Sequence, residues 1–258
     1  MFETTILAVL QGIAEFLPIS SSGHLVLGRG MLGLGDVGMR LDIFLHVGTL
    51  IAVFAFYREV IWRILVRLEW RYMMKIALSA VPAGIVGVIF KDRIEAAFSS
   101  PALVGGALMF TGLVLTLTRF MPCGERDISV GRAVLMGIAQ AVAILPGVSR
   151  SGMTLAAARA FGVDAEKSAE FSFLMSAPPI AGAALLEILH GIEQSGTEAV
   201  AKAEVGWGLC VFGAVLAAVV GYLSLGLLVK SLKGRWFWLF GPYCLIAGYF
   251  TVVLIWRT

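Results

Sequence analysis

Long apolar stretches, separated by short polar connections, form most of this chain. Six of them are long enough for membrane-spanning helices, at approximately 41–57, 73–90, 101–120, 171–190, 205–229 and 236–256. Two further apolar segments end in proline, serine and glycine and are followed by short second stretches, giving the pairs 2–19 with 22–32 and 133–148 with 152–162. A spanning helix broken by such residues would leave backbone groups unsatisfied in lipid. We therefore predict two re-entrant helix hairpins, each shielded by protein.

Composition agrees with this interpretation. Apolar residues make up 59% of the 258 positions and charged residues only 14%, whereas a soluble domain is about half apolar and a quarter charged. The cysteines Cys123, Cys210 and Cys244 match no zinc or disulfide spacing, so we interpret them as small apolar residues. The predicted fold class is all-α integral membrane, with six spanning helices and two re-entrant hairpins.

The distribution of basic residues predicts the orientation of the chain. The connection 58–75 carries five lysines and arginines, which indicates a cytoplasmic loop by the positive-inside rule. Alternation then places 91–100 and 191–204 outside, and 121–132 and 230–235 inside. Every connection agrees with one topology.

A polar motif occurs twice in this hydrophobic chain. Gln11-Gly-Ile-Ala-Glu-Phe-Leu-Pro-Ile-Ser-Ser-Ser-Gly23 is followed, 129 positions later, by Gln140-Ala-Val-Ala-Ile-Leu-Pro-Gly-Val-Ser-Arg-Ser-Gly152. Each half therefore holds one hairpin and three spans, and because three is odd the second half is inverted. We predict inverted repeats of approximately 1–125 and 130–258 within a single transmembrane domain. Such repeats place their site between broken helices, near the pseudo-two-fold axis.

The two copies of the motif differ at positions where the side chain decides the chemistry. Glu15 stands against Ile144, and Ser21 against Arg150. Gln11 and Glu15 are four residues apart, so both project from one helix face. An ionisable group at membrane depth is by default a functional candidate, although a structural ion pair with an arginine is the alternative for Glu15.

Hydroxyl groups follow the proline in both copies. Serines at a helix start cap free backbone N–H groups, and the same geometry binds phosphate. Arg150 favours phosphate, because a guanidinium binds its oxygens bidentately and stays charged. We assign a diphosphate-binding role to Gln11, Ser20 and Ser22.

Hydrolysis needs more than a phosphate cradle. Ser21 is a candidate nucleophile, His24 a candidate base or acid, and Glu15 a group that holds a divalent cation or activates water. A hydrogen-bonded core histidine is the alternative for His24. Asp42 and His46 are weaker candidates, since they either line the same cavity or bond each other.

These motifs resemble those of the undecaprenyl-pyrophosphate phosphatase family, the bacitracin-resistance type of integral membrane enzyme. The family's first motif, (Glu/Gln)-x-x-x-Glu-x-x-Pro-x-Ser-Ser-x-Gly-His, is matched by Gln11, Glu15, Pro18, Ser20, Ser21, Gly23 and His24. Its second, Pro-Gly-x-Ser-Arg-Ser-Gly-x-Thr, is matched by Pro146, Gly147, Ser149, Arg150, Ser151, Gly152 and Thr154. The resemblance extends over nearly the whole chain. Because position 11 is glutamine rather than glutamate, Glu15 is the only carboxylate of the first motif.

The resemblance implies an enzyme that cleaves undecaprenyl diphosphate to undecaprenyl phosphate and inorganic phosphate, recycling the lipid carrier of cell-wall synthesis and conferring bacitracin resistance. It implies catalytic roles for Glu15, Ser21, His24 and Arg150, and phosphate binding by Ser149, Ser151 and Thr154. It also implies Mg²⁺ or Ca²⁺ as cofactor, for which Glu15 is the ligand we expect. The nucleophile is Ser21, His24 or a water. We expect a bacterial inner-membrane protein whose site opens to the periplasm. We expect it to bind a polyprenyl diphosphate and membrane lipids, and not nucleic acid. A homodimer is compatible with the sequence. The rival interpretation, a polyprenyl-phosphate flippase or transporter, rests on the inverted repeat.

Overall fold

A computed structural model describes residues 1–32, 39–122, 124–194 and 205–255 of the chain. Within these ranges the chain is helical, and a single bridge between Arg126 and Val163 is the one β-type pairing. The α-helices are α1 (Phe2–Ala14), α2 (Ser21–Leu32), α3 (Met39–Phe56), α4 (Arg58–Val66), α5 (Trp70–Ile89), α6 (Lys91–Phe98), α7 (Pro101–Leu117), α8 (Val130–Val142), α9 (Arg150–Ala160), α10 (Ala165–Gln194), α11 (Trp207–Lys233) and α12 (Phe240–Ile255). Short 3-10 helices at Thr118–Phe120 and Phe237–Leu239 adjoin α7 and α12.

The six predicted spans each coincide with one long helix: α3, α5, α7, α10, α11 and α12. Three of these, α5, α7 with its 3-10 extension, and α11, are long and apolar enough to cross a membrane. A fourth crossing results if α3 and α4, which meet at an angle of 71°, count as one bent span. The chain is therefore an all-helical membrane protein. Most of the predicted outer loop 191–204, and Cys123, lie outside the described residues.

The outer surface of the bundle is apolar, as lipid requires. Val88 is 82% exposed, Phe120 80% and Trp62 70%. Exposed apolar surface on this scale marks an interaction surface, here with the membrane.

Small residues bring the helices into close contact at the centre. Helix α1 packs on α11, α8 packs on α5, and α7 packs on α12. A Cβ atom added at Gly48 of α3 would lie 2.2 Å from the Ala214 carbonyl oxygen of α11. Likewise, a Cβ at Gly137 of α8 would lie 2.3 Å from the Ser79 carbonyl oxygen of α5. Glycine is required at these crossings, which is how membrane helices commonly associate.

The largest apolar cluster lies beside the loop between α1 and α2. Phe16 from this loop is buried and meets Phe173 of α10 edge to face, with ring centroids 5.5 Å apart. Leu115 of α7, Leu155 of α9 and Leu225 of α11 belong to the same cluster. The first loop is thus held by elements from both halves of the chain.

Candidate active site

The loop between α1 and α2 presents a carboxylate and three serines. Glu15 ends α1 and is 6% exposed. Its Oε2 accepts hydrogen bonds from Ser21 Oγ at 2.7 Å and from Gln11 Nε2 at 3.1 Å. Ser20 has a φ of 69°, in the left-handed region that a serine seldom adopts and that commonly marks functional loops. Its Oγ accepts from the Gly23 N–H at 3.3 Å and so caps α2.

The loop between α8 and α9 is built in the same manner. Ser149 caps α9, because its Oγ accepts from the Gly152 N–H at 3.1 Å. Here the positive φ, 93°, falls on Gly147, where an added Cβ would lie 2.3 Å from the Val104 carbonyl oxygen. Thr111 of α7 fixes the loop by donating to the Gly147 carbonyl oxygen at 3.2 Å and accepting from the Ser149 N–H at 3.1 Å. Arg150 therefore begins a helix that is firmly positioned.

The two loops meet. Arg150 Nη2 forms an ion pair with Glu15 Oε1, across 135 residues of sequence. Ser151 Oγ also donates to the Leu17 carbonyl oxygen at 3.4 Å. Burying the Arg150–Glu15 pair costs free energy, because both charges are removed from water. Its position at the meeting point of both loops therefore indicates a functional site.

A cavity of about 930 Å³ opens at this meeting point. From the loops, its wall includes Glu15, Ser20, Ser21, Ser22, Ser149 and Arg150. Two helices extend the cavity: α5 contributes mainly alanines and glycines, and α10 contributes the segment 178–182. At its far end the cavity reaches Lys91 and Phe98 of α6. A polar end and a long apolar remainder suit an amphipathic ligand.

Four residues predicted for the site do not line the cavity. Gln11 is fully buried behind Glu15. Ser151 bonds the first loop, and Thr154 shares a hydrogen bond of 2.6 Å with Ser172 of α10. These three hold the site together from behind. His24 is the fourth, and its surroundings differ.

The His24 side chain is turned toward α12. Its Nδ1 lies 2.9 Å from the Ser20 carbonyl oxygen, and its Nε2 lies 2.7 Å from the Tyr243 hydroxyl. The two rings also stack, with centroids 5.6 Å apart. His24 thus links the left-handed Ser20 to α12. Tyr243 carries no signal in the sequence, because an aromatic residue on an apolar helix is unremarkable there.

The cavity wall contains polar groups that the motifs did not assign. His46 of α3 lines the wall, with its Nδ1 2.9 Å from the Asp42 carbonyl oxygen. Asp42 itself pairs with Arg29. Gln140 of α8 also lines the wall. The repeated glutamine was the available signal for Gln140, and the four-residue spacing from Asp42 was the signal for His46.

Among the described residues, no three histidine, cysteine, aspartate or glutamate side chains lie close enough together to hold a metal ion. Glu15 is the one carboxylate in the cavity wall as described. A single carboxylate does not form an all-protein metal cage. Mg²⁺ is usually held by one or two carboxylates together with substrate phosphates, so such a cage is not required for it.

The fold and the site together define a class: a helical membrane protein in which two polar loops meet in the wall of a largely apolar cavity. The family model described as "Bacitracin resistance protein BacA" matches residues 4–250, and the chain belongs to this family. It is 36% identical to a protein of Desulforapulum autotrophicum and 34% identical to one of Methanosphaera stadtmanae, with 98% of both chains covered in each case. A protein of Rhodopirellula baltica is 39% identical, again with 98% of both chains covered. All three relatives carry the name "Undecaprenyl-diphosphatase".

Proposed function

We propose that this chain is an undecaprenyl-diphosphatase, which hydrolyses undecaprenyl diphosphate to undecaprenyl phosphate and inorganic phosphate. The observation that carries the proposal is the contact of Ser21, Glu15 and Arg150 at the polar end of the cavity. This activity recycles the lipid carrier for peptidoglycan synthesis, and it confers bacitracin resistance. The names of the relatives support the same substrate.

The diphosphate binds where the two loops meet. Arg150 offers a guanidinium that matches phosphate oxygens. The helix starts at Ser21 and at Arg150 direct N–H groups and positive dipole ends toward the same place. Ser20, Ser22 and Ser149 add hydroxyl groups to the cavity wall.

Ser21 is the nucleophile that the geometry supports best. Its hydroxyl already donates to Glu15 at 2.7 Å, which is the pairing of nucleophile and base that such chemistry requires. Ser21 Oγ forms a bond to the terminal phosphorus, and the bond from that phosphorus to the bridging oxygen breaks. Glu15 accepts the serine proton and passes it to the departing lipid phosphate. Water then releases the phosphate from Ser21.

Arg150 stabilises the charge that gathers on the phosphoryl oxygens during transfer. His24 has a different role in this proposal. Because its two nitrogens are engaged by Ser20 and Tyr243, it positions the first loop.

The apolar part of the cavity binds the start of the isoprenoid chain. Its wall on α5 includes Ala80, Ala83, Gly84 and Gly87. Among the described residues, no atom outside the helix's own backbone and the neighbouring residues lies within 4 Å of the place where a Cβ would be at Gly84 or Gly87. The wall is therefore open along this face of the helix, where an isoprenoid unit can lie.

A divalent cation, Mg²⁺ or Ca²⁺, fits this site only together with the substrate. Glu15 would supply one carboxylate oxygen, and the diphosphate would supply the remaining charged ligands. When bound, the cation neutralises phosphate charge. Loss of turnover on chelation, with recovery on adding the cation back, is the expected result.

We further propose the predicted topology: six spans and two re-entrant hairpins in inverted repeats of approximately 1–125 and 130–258. Reciprocal packing supports it, because α1 packs on α11 just as α8, its counterpart, packs on α5. Ion pairs join the segments assigned to the cytoplasm, namely Lys233 with Glu166 and Lys167 with Asp127.

The orientation of the site follows from the same topology. The cavity reaches Lys91 and Phe98, which lie in the connection assigned to the outside. The site therefore opens toward the periplasm of a bacterial inner membrane. A single cysteine introduced at Arg93 would react with an impermeant reagent in intact cells. Labelling only after lysis would contradict this orientation.

The proposed activity is tested by phosphate release from undecaprenyl diphosphate, using purified protein in detergent with Mg²⁺ or Ca²⁺. We expect steady turnover. Tight binding without turnover would contradict the proposal and indicate a carrier instead, such as a polyprenyl-phosphate flippase.

A further inference from the structure

Gln140 is a buried amide in the cavity wall with no hydrogen-bond partner. It is 3% exposed and lies on α8. Neither its Oε1 nor its Nε2 has a partner among the residues that the structure describes. Buried amides are nearly always hydrogen-bonded, because an unmade bond costs free energy. An unpaired amide in a side chain that lines a cavity therefore lacks a partner, which a ligand in the cavity supplies once the side chain turns toward it.

The repeat explains why this amide is unpaired. Its counterpart Gln11 donates through Nε2 to Glu15, four residues further along the helix, and of the two amide atoms of Gln11 only Oε1 has no partner among the described residues. At the equivalent position after Gln140 stands Ile144, which also lines the cavity and offers no acceptor. The second copy therefore has the glutamine without an intrahelical acceptor. Packing alone would be satisfied better by an apolar residue.

We infer that Gln140 holds the water consumed in the hydrolysis, an inference that rests on the proposed function. A phosphate oxygen would engage only the N–H donor of the amide, whereas a water can engage both the N–H and the carbonyl. Gln140 shares its cavity with Ser21, Glu15 and Arg150. A glutamine that orients the attacking water is a known device in phosphoryl transfer.

The oriented water oxygen forms a bond to the phosphorus carried by Ser21, and the bond from that phosphorus to Ser21 Oγ breaks. One water proton reaches Ser21 Oγ through Glu15, and the other stays on the released phosphate. Gln140 is a positioning residue in this step, since it acts through the water.

The test is Gln140→Met, which preserves the length of the side chain and removes both hydrogen-bonding groups. We expect kcat for phosphate release from undecaprenyl diphosphate to fall on the order of 100-fold. KM should change by less than about threefold, because the phosphate cradle is intact. The melting temperature in detergent should stay the same or rise, because an unpaired buried amide has been removed.

The matched control is Ile138→Met on the outward face of α8, where Ile138 is 49% exposed. It should retain wild-type kcat. Gln140→Leu is a second apolar variant in case the methionine variant folds poorly. Wild-type kcat in a folded Gln140 variant would overturn the inference. A lowered melting temperature in both variants would also overturn it, because it would show a structural role. Failure of the proposed function would appear differently, as an inactive wild-type protein.

Discussion

The two loops share a backbone plan and differ in the side chains they present. Each follows a helix, passes through a proline, and ends in a serine that caps the next helix. The first loop supplies a carboxylate and Ser21, and the second supplies Arg150 at the position equivalent to Ser21. The shared plan brings two helix starts to one place. The departures from the plan provide Ser21 as the proposed nucleophile, Glu15 as the proposed base and the guanidinium of Arg150.

The backbone strain is also distributed differently. In the first loop the positive φ falls on Ser20, and in the second it falls on Gly147, for which it costs little. The strained residue is the one that His24 holds through its carbonyl oxygen. The loop that carries the proposed nucleophile is thus the one held under constraint, which agrees with a preorganised catalytic group.

The largest effect should come from removing the cation of the second loop. We expect Arg150→Ala to lower kcat/KM on the order of 1000-fold, because phosphate binding and transition-state charge both depend on it. The measurement is phosphate release from undecaprenyl diphosphate. Arg159→Ala, on the same helix but outside the cavity wall, is the control and should keep most of the activity. Near-normal turnover in Arg150→Ala would mean that the second loop does not bind phosphate.

Removing the hydroxyl of the first loop should have the next largest effect. We expect Ser21→Ala to lower kcat on the order of 100-fold, because a water can attack the phosphorus in its place while the rest of the site is intact. Ser22→Ala should cost less, because Ser22 contacts only the Ser20 hydroxyl at 3.3 Å among the hydrogen bonds described, whereas Ser21 reaches Glu15. Equal losses in the two variants would contradict the assignment of Ser21 as nucleophile.

A smaller effect is expected for His24, although the sequence assigned it a catalytic role. We predict that His24→Ala lowers kcat by about tenfold or less, whereas loss of a general base typically costs on the order of 100- to 10,000-fold. Tyr243→Phe should move kcat in the same direction and by a smaller factor. A loss on the scale of Ser21→Ala would show that the ring does reach the substrate during turnover.

A further effect, about as small as that of His24→Ala but confined to KM, should depend on the length of the substrate. We expect Gly84→Leu to raise KM for undecaprenyl diphosphate about tenfold, because the added side chain occupies the apolar wall. A short-chain prenyl diphosphate should be affected much less. Gly106→Leu is the control, since that glycine also has open space around it but lies on α7, outside the cavity wall. Equal changes for long and short substrates would place the lipid chain elsewhere.

Much of the fold was accessible from hydropathy and the repeat. The long apolar runs gave the six long helices to within a few residues, apart from the start of α10, and the repeated motif marked both loops and the residues that meet there. Side-chain direction was not accessible. His24 follows the serine cluster directly, yet its ring is turned to Tyr243 by a contact across 219 residues. Thr154 belongs to the family motif but bonds Ser172 instead of lining the cavity. Such contacts depend on helix packing, which no local spacing encodes.

The central claim is that the two loops form a single catalytic unit, and a double-mutant cycle tests it most directly. Single-turnover phosphate release, with enzyme in excess, would be measured for Ser21→Ala, Arg150→Ala and the double variant. Residues that act as one unit are strongly non-additive, so the double variant should be about as slow as the slower single variant. A double variant whose loss equals the product of the two single losses would contradict the claim.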